Sequence, residues 1–469
     1  MTDCSAKEFP YYKIFLLIGL VFGVVWLFLI PPFQGPDEFM HFHRAYLLSE
    51  GKLGLVVDPA SGRIGHYLPA SIQELEETLQ SHKIAGRGDV KQSLEAMAKA
   101  TRIEIKPESS LFYDSIAYYP PFAYAPHVAA IAIARMLELP ILYVYYAARL
   151  GGFIFFVVIM YLLIKHVRVL KLPLLTIALM PISIQQGMIV SADCVTIILI
   201  LMLVCYVINM IFREGNKVIS AKDIAVFYLL CGLIALTKGP YVILALLYFI
   251  IPRKRFSSGV AYWAGGIGMI LVGLVLIGTW KFFQTDLSMT TSTVSAVVNI
   301  SHGKNTDPFH ILYRVFFNTM FSVYLAKSAF WLGWTDVRLP VVFLVAYSFL
   351  MLWPLLIVDK AIDERFADLR KTGFVIVAFI FCVWTAYHVS MYLAEPQRPE
   401  GKILGMQGRY FVRLLFPLLV GIYCVIPNKW RLMCSRLPWR FDVLIKIHCV
   451  LLVLLLAVAT GYIFVRYYA

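Results

Sequence analysis

The chain has 469 residues, of which 60% are hydrophobic and 15% are charged. Its mean hydropathy of +0.76 excludes a soluble domain of this length and predicts a polytopic helical membrane protein. The net charge of +14 does not indicate nucleic-acid binding, because Lys and Arg fall in short clusters between apolar segments, as the positive-inside rule requires.

The first apolar segment, Ile14–Ile30, predicts a transmembrane helix. No small-residue cleavage signature follows it, so we expect a retained anchor with a cytoplasmic N-terminus. Residues 32–140 would then form the first external loop. Within this loop we expect a charged helical region from Ser71 to Arg102 and a juxtamembrane helix at Tyr118–Pro140, which is short for a span and interrupted by prolines.

The remaining spans follow from the alternation of apolar segments with basic loops, and a second external loop with a lateral helix at Ile311–Trp334 covers residues 284–336. These spans are predicted at Leu142–Ile164, Leu172–Ile189, Ala192–Phe212, Ile224–Leu236, Tyr241–Ile251, Val260–Phe282, Val337–Val358, Gly373–Ala394, Tyr410–Ile426 and Phe441–Val465. The predicted fold is an all-α integral membrane protein, a single polytopic domain over residues 1–469 with about eleven spans and an external C-terminus.

An unusual polar motif, PPFQGPDEFMHFHRAYLLSEG, directly follows the first span at Pro31–Gly51. Pro36 suits the first position of a new helix, which places Asp37 and Glu38 in its first turn. The helix dipole there favours ionised carboxylates, which suit a base or a metal ligand. Asp37, His41 and Arg44 recur at helical spacing and would share one face. The alternative is that the two carboxylates only cap a surface helix.

The predicted topology brings further polar residues to the same external side as this motif. They are Asp193, Lys238, Gln407, Arg409 and Tyr410, each in or beside an outer turn between spans. We therefore predict a membrane-embedded outer cavity lined by carboxylates and cations. The alternatives are ordinary ones: Asp193 as a helix cap, and Lys238 and Arg409 as cations that reach the lipid headgroups.

Taken together, the Pro31–Gly51 motif, YYPPFAY, SAD, TKGPY and MQGRYF resemble a family of bacterial predicted membrane proteins, the domain-of-unknown-function family 2142. The opening motif more distantly resembles the GT-C superfamily of polyprenyl-phosphate-sugar-dependent glycosyltransferases. That resemblance implies that Asp37 is the catalytic acidic residue. It also implies that Asp193 is the second carboxylate, which helps to hold a divalent metal (Mg or Mn) in some members. Those enzymes often have a His-Pro-Pro element where this chain has Tyr119-Pro120-Pro121.

The resemblance implies transfer of a sugar from a polyprenyl-phosphate donor to an envelope glycan or lipid acceptor, on the external face of the bacterial inner membrane. Asp37 would accept the proton of the acceptor hydroxyl, with Glu38 as the other catalytic candidate. Arg409 and Lys238 would stabilise the phosphate. His41, Arg44, Gln407 and Tyr410 complete the predicted substrate-binding set.

Two other classes of protein fit the same motifs less well. A transporter or flippase for a lipid-linked saccharide would show inverted repeats, and the sequence contains no convincing one. A non-catalytic assembly protein for cell-envelope polysaccharide would not need the acidic and basic face at Asp37–Arg44.

Overall fold

A computed structural model describes residues 9–53, 56–57, 64–113, 119–213, 218–288, 309, 313, 323–356, 370–394, 407–427, 430 and 441–469. The first part of the chain comprises a long helix and a compact layer of short elements. In chain order these are α1 (Tyr11–Leu29), α2 (Glu38–Ser49), β1 (Val56–Val57), β2 (Ile64–Pro69), α3 (Ala70–Thr78), α4 (Ser81–Gly86), α5 (Leu94–Ala100), β3 (Ser109–Tyr113), a 3-10 turn (Pro121–Tyr124) and α6 (Ala125–Met136).

The second part of the chain is dominated by long apolar helices. In chain order the elements are α7 (Ile141–His166), α8 (Lys171–Ala178), α9 (Pro181–Met188), α10 (Ala192–Ile211), α11 (Ala221–Ala235), 3-10 helices at Gly239–Ile250 and Arg253–Arg255, α12 (Gly259–Ser288), α13 (Val323–Ser328), β4 (Trp331–Leu332), β5 (Val337–Arg338), α14 (Val341–Leu352), a 3-10 turn (Trp353–Leu356), α15 (Arg370–Ala394), α16 (Arg409–Val425) and α17 (Phe441–Tyr467).

Helical structure occupies most of each predicted span, but the predicted span at Val337–Val358 begins with β5 and ends outside the described residues. Within the described ranges, six helices are long and apolar enough to cross a membrane: α1, α7, α10, α12, α15 and α17. The predicted third span is divided into α8 and α9 because Pro181, at the start of α9, has no N–H with which to continue the helix. The count of about eleven spans therefore stays a prediction.

The elements from α2 to α6, residues 38–136, form a layer that we call the cap. An antiparallel sheet in the order β1-β2-β3 lies within it, and β4 pairs with β5 later in the chain. The all-α prediction is wrong in this respect, because short segments such as Ile64–Pro69 and Ser109–Tyr113 pair across an intervening stretch of helices. The predicted helical region from Ser71 to Arg102 is divided among α3, α4 and α5.

Within the predicted juxtamembrane segment Tyr118–Pro140, the described residues form the 3-10 turn and α6, and α6 packs along α7. Its position beside the membrane stays a prediction. Most of the predicted lateral helix at Ile311–Trp334 lies outside the described residues, apart from Tyr313 and the part from α13 onwards.

Two groups of buried apolar side chains define the core. The larger fills the space between the long helices, and its centre includes α10, where most side chains are buried. The smaller lies between the cap and the beginning of α7, and it includes Phe33, Phe42 and Tyr145. The cap is therefore packed as a layer on one end of the helical bundle.

The end of α17 joins the cap to the bundle. The Arg466 guanidinium pairs with Asp336 at 2.5 Å and donates to the carbonyls of Ile84 and Val90 at 2.7 and 2.9 Å. The Gln92 N–H donates to the Tyr467 carbonyl at 2.8 Å. These contacts hold residues 84–92 of the cap against the last described helix.

Candidate active site

Asp37 stands at the junction of α1 and the cap. It is the residue before α2 and has a left-handed backbone conformation (φ +59°), which Asp tolerates better than most residues. Its side chain makes no capping hydrogen bond, is 43% exposed and lies 3.6 Å from Arg409 Nη2. The geometry therefore does not support the simple capping role for Asp37.

Glu38, the next residue, is fully buried, and both oxygens of its carboxylate accept hydrogen bonds. Its carboxylate accepts hydrogen bonds from the Gly35 and Val190 N–H groups at 2.8 and 3.0 Å. The Arg149 guanidinium donates to both oxygens at 2.9 and 2.8 Å. A carboxylate engaged in this way cannot approach a substrate hydroxyl. The catalytic role of Glu38 stays a prediction, and these bonds favour Asp37 over Glu38 as the acid that is open to a substrate.

Arg149 extends this arrangement to the end of α1. It lies in the first half of α7 and donates to the carbonyls of Leu27, Ile30 and Pro31 at 3.1, 2.7 and 3.0 Å. Carbonyls at a helix C-terminus lack partners within the helix, and a cation there also complements the helix dipole. The Glu38–Arg149 pair therefore joins α1, α2 and α7 at the residue next to Asp37 in the chain.

A second ion cluster surrounds Asp193 in the first turn of α10. Asp193 Oδ1 lies 2.6 Å from Lys238 Nζ and 2.9 Å from Arg413 Nη2. Lys238 precedes the 3-10 helix at Gly239–Ile250, and Arg413 is one turn after Arg409 in α16. Arg409 lies 3.6 Å from Asp37 and interacts electrostatically with Asp193, so the two carboxylates belong to one cluster of charges.

The alternative roles predicted for Asp193, Lys238 and Arg409 were a helix cap and two cations that reach the lipid headgroups. The contacts and the burial of these side chains do not match those roles. Asp193 follows Ser191, the capping position, and its carboxylate binds cations. The side chains of Lys238 and Arg409 are only 13% and 6% exposed, whereas cations that extend to lipid headgroups have exposed tips.

Tyrosine rings form the walls of the cluster. Lys238 Nζ lies 5.2 Å from the ring centroid of Tyr410 and 5.9 Å from that of Tyr119, and the Arg413 guanidinium lies 4.7 Å from that of Tyr241. The Tyr241 hydroxyl donates to the Tyr410 carbonyl at 3.1 Å. Ring faces stabilise cations without neutralising them, so the positive charge remains available to an anion.

The other predicted binding residues divide into two groups. His41 is buried beside the cluster, with Nδ1 2.6 Å from the Tyr124 hydroxyl, and burial lowers the pKa of His41 to about 3. Its imidazole is therefore neutral near pH 7. Arg44 donates to the carbonyls of Leu53 and Tyr119, which ties α2 to the rest of the cap. Gln407 is half-buried just before α16.

Sequence analysis missed Arg149 and Arg413, although each carried a signal. Both lie inside predicted spans, at Leu142–Ile164 and Tyr410–Ile426, where an arginine is costly without a buried partner. A charge in the middle of a span could therefore have been paired with an acidic residue beside another span. Which acid pairs with which arginine could not be read from local spacing.

The two carboxylates do not form a good site for the predicted divalent metal. Mg²⁺ and Mn²⁺ need several oxygen ligands, yet Asp193 is already bound by two cations and Asp37 faces a third. Among the residues that the structure describes, no group of three or more His, Cys, Asp or Glu side chains is placed to hold a metal ion. We therefore assign no step to a metal.

Fold and site together define a polytopic helical membrane protein with a buried ion cluster between its cap and its helical bundle. Residues 20–422 match the family described as "Predicted membrane protein (DUF2142)", so the chain belongs to that family, as its motifs predicted. No curated protein matches the sequence.

One solved structure with detectable similarity is the archaeal oligosaccharyltransferase AglB from Archaeoglobus fulgidus, in complex with an inhibitory peptide and a dolichol-phosphate. The two chains are 12% identical with a TM-score of 0.30, and the match covers 98% of this chain and 56% of the other. The present chain thus spans about half the length of that protein. Similarity at this level does not establish a common activity.

Proposed function

We propose that this protein is a GT-C-type glycosyltransferase that moves a sugar from a polyprenyl-phosphate donor to an envelope glycan or lipid acceptor. The observation that carries this proposal is the partly exposed carboxylate of Asp37, which lies 3.6 Å from Arg409. Arg409 is one helical turn before Arg413, which binds Asp193 together with Lys238. A base next to an anion-binding group is what transfer from a lipid phosphate requires.

In this mechanism Asp37 accepts the proton of the acceptor hydroxyl while the hydroxyl oxygen attacks the anomeric carbon of the sugar. The bond between that carbon and the phosphate oxygen breaks, and its electron pair stays on the phosphate. Arg409 and Lys238 stabilise the negative charge that develops there, in a site where burial strengthens electrostatic contacts. Glu38 and Arg149 keep Asp37 in place.

We further propose that the cap and the cluster lie on the external face of the bacterial inner membrane, and that the N-terminus is cytoplasmic. In that orientation the acceptor would reach Asp37 from the aqueous side. The lipid chain of the donor would lie among the apolar helices.

The proposal is tested with the purified full-length protein in lipid nanodiscs and a panel of polyprenyl-phosphate sugars, with release of polyprenyl phosphate as the readout. We expect wild type to release the lipid phosphate from at least one donor when acceptor glycans are present. Asp37→Asn should abolish release because the amide keeps the shape but cannot accept the proton.

Asp89→Asn is the matched control, since Asp89 is an exposed cap carboxylate that pairs only weakly with exposed Arg87. It should behave as wild type. Equal release by wild type and Asp37→Asn would mean that another residue acts as the base. No release from any donor would count against the transferase itself.

A further inference from the structure

Three aromatic rings form a parallel stack at the boundary between the turn before α2 and the cap. The ring centroids of Phe33 and Phe39 are 5.0 Å apart with the planes at 5°, and those of Phe39 and His82 are 4.0 Å apart with the planes at 7°. Two rings this close and this parallel to Phe39 cannot both lie over one of its faces. Phe39 is therefore the middle ring, with Phe33 on one face and His82 on the other.

The stack begins in the core and ends at the protein surface. Phe33 is fully buried and Phe39 is 5% exposed, whereas the His82 side chain is 66% exposed. Because Phe39 covers one face of the imidazole, the exposed surface of His82 includes the other face. The stack is therefore open at His82, where it can take one more flat ring.

The His82 ring is held in place although it is exposed. Its Nε2 lies 3.2 Å from Glu76 Oε2, and the other oxygen of this buried carboxylate lies 2.7 Å from His43 Nε2. The carbonyl of Ser81, the residue before His82, accepts a hydrogen bond from Gln34 Nε2 at 3.1 Å. A ring that is already ordered loses little conformational entropy when a ligand stacks on it, so His82 is suited to be a binding platform.

Trp334 provides a second aromatic surface against the same stack. Its ring centroid is 5.6 Å from that of Phe39 with the planes at 50°, and the side chain is half-buried. Trp334 belongs to the turn between β4 and β5, which the buried Gln185 amide fixes through hydrogen bonds with Gly333 at 2.8 and 3.1 Å. Two ordered aromatic side chains of different tilt therefore flank Phe39.

The stack is attached to the chain on both sides of Asp37. Gln34, which binds Ser81, lies three residues before Asp37, and Phe39, which stacks on His82, lies two residues after it. Two residues of chain span at most about 7 Å. A ligand on the open face of His82 would thus lie close to the partly exposed carboxylate of Asp37.

We propose that the acceptor is a glycan and that His82 is its binding platform, with one pyranose ring stacked on the open face of the imidazole. This inference rests on the proposed function and selects one of its two acceptor classes. The C–H groups on one face of a pyranose are apolar and slightly positive, and the face of an aromatic ring is slightly negative, so the two attract each other. A hydroxyl on a neighbouring unit of the same glycan then reaches Asp37. A simple lipid alcohol has no flat ring to place on His82.

The experiment measures equilibrium binding of cellohexaose and of chitohexaose to the purified full-length protein in lipid nanodiscs, with no donor present. Stacking depends on the flat face of the sugar ring and not on one hydroxyl pattern, so these two β-linked chains are suitable probes. Wild type should bind at least one of them with a dissociation constant of about 1 mM or lower. His82→Ala should weaken this binding by about three- to tenfold.

Further variants separate stacking from hydrogen bonding and charge. His82→Phe retains a ring without N–H groups and should keep the wild-type affinity within about twofold, and His82→Trp should bind more tightly because its ring is larger. His82→Gln retains a hydrogen-bonding group without a ring and should bind as weakly as His82→Ala. His166→Ala, at an exposed histidine at the end of α7, is the matched control and should bind as wild type.

The outcomes distinguish this inference from the proposed function. Failure of both hexasaccharides to bind, or equal affinities of wild type and His82→Ala, would overturn the glycan platform. Release of polyprenyl phosphate that depends on dioleoylglycerol and not on a hexasaccharide would also overturn it, while the transferase function would stand. Binding that depends on His82, without release of polyprenyl phosphate from any donor, would overturn the transferase and leave a glycan-binding site on the cap.

Discussion

At the scale of single residues, Asp37 and Glu38 are neighbours with opposite surroundings. Asp37 is partly exposed and faces one guanidinium, whereas Glu38 is buried and held by Arg149 and two main-chain N–H groups. Both are acids in the same turn. The sequence could therefore identify the pair, but it could not predict which carboxylate would be exposed and which would form a buried ion pair. The division depends on Arg149, which lies 111 residues from Glu38.

The first residue-scale prediction concerns Arg409. If its guanidinium binds the donor phosphate, Arg409→Lys should lose about 2–4 kcal/mol of transition-state stabilisation, because an ammonium cannot reproduce the planar pair of donors. The measurement is the rate of sugar transfer by wild type, Arg409→Lys and Arg409→Ala. Arg338→Lys, at an exposed arginine, is the control. Full activity in the Arg409→Lys protein would exclude the phosphate clamp.

The second residue-scale prediction concerns His66, a buried residue of strand β2. Burial lowers its pKa from an ordinary value of about 6.5 to about 3, with smaller contributions from His43 and Arg44. Below pH 6.5 the unfolded chain therefore binds the proton that the folded protein excludes. Stability contributed by neutral His66 is complete above about pH 6.5 and is lost as the pH falls toward 3, by at most about 1.4 kcal/mol per pH unit.

This dependence is measured as the thermal unfolding of the cap between pH 7 and pH 5 in detergent. His66→Leu should lose less stability over that interval than wild type. His166→Leu, at an exposed residue at the end of α7, should retain the wild-type dependence. Parallel pH curves for wild type and His66→Leu would show that His66 does not carry the effect.

At the scale of elements, the Glu38–Arg149 pair predicts how α1, α2 and α7 depend on one another. Arg149→Met would leave the Glu38 carboxylate buried without its counterion and the last carbonyls of α1 without their donor. Removing one partner of a buried ion pair destabilises a protein by about 3–5 kcal/mol. Denaturant or thermal unfolding of the variant should show this loss, with Arg168→Met, at an exposed loop arginine, as the control.

The double variant Glu38→Leu with Arg149→Met separates loss of the pair from loss of a side chain. It should recover part of the stability, because no unpaired charge remains. It should still be impaired in transfer, because nothing fixes the turn before Asp37. A double variant as unstable as Arg149→Met would mean that packing, and not the charge, explains the loss.

Elements differed in how well the sequence predicted them. The long helices α1, α7, α10 and α17 follow from uninterrupted apolar runs, and their ends lie within a few residues of the predicted ones. The cap sheet was missed, since the pairing of β2 with β3 joins segments that flank three helices. The break between α8 and α9 was also missed, although Pro181 is the local signal for it.

At the scale of the whole molecule, the ion cluster is assembled from distant parts of the chain. Arg413 and Asp193 are 220 residues apart, and Lys238 and Asp193 are 45 apart. The predicted topology indicated that Asp37, Asp193, Lys238 and Arg409 would meet, because turns on one side of a membrane share one surface. It could not predict Arg413, whose place within a span depends on how α16 is rotated against α10.

The whole-molecule prediction concerns Arg466, which holds the cap to α17. Arg466→Met should remove the hydrogen bonds to residues 84–92 and lower the stability of the cap by about 1.5–3 kcal/mol. Hydrogen exchange should become faster in residues 84–92, while α10 keeps its protection. Lys446→Met, at an exposed position on the same helix, should leave the exchange pattern of the cap unchanged.

The position of Arg466 also has a consequence for the order in which the protein is made. Arg466 binds the carbonyl of Val90, although the two residues are 376 positions apart in the chain. At a synthesis rate of about 5–20 residues per second, the ribosome needs about 20 to 75 s to supply this partner. During that interval the emerging cap contains the carbonyls of Ile84, Arg87 and Val90 without the guanidinium that binds them. A nascent chain halted before Phe441 would therefore lack the last attachment of its cap.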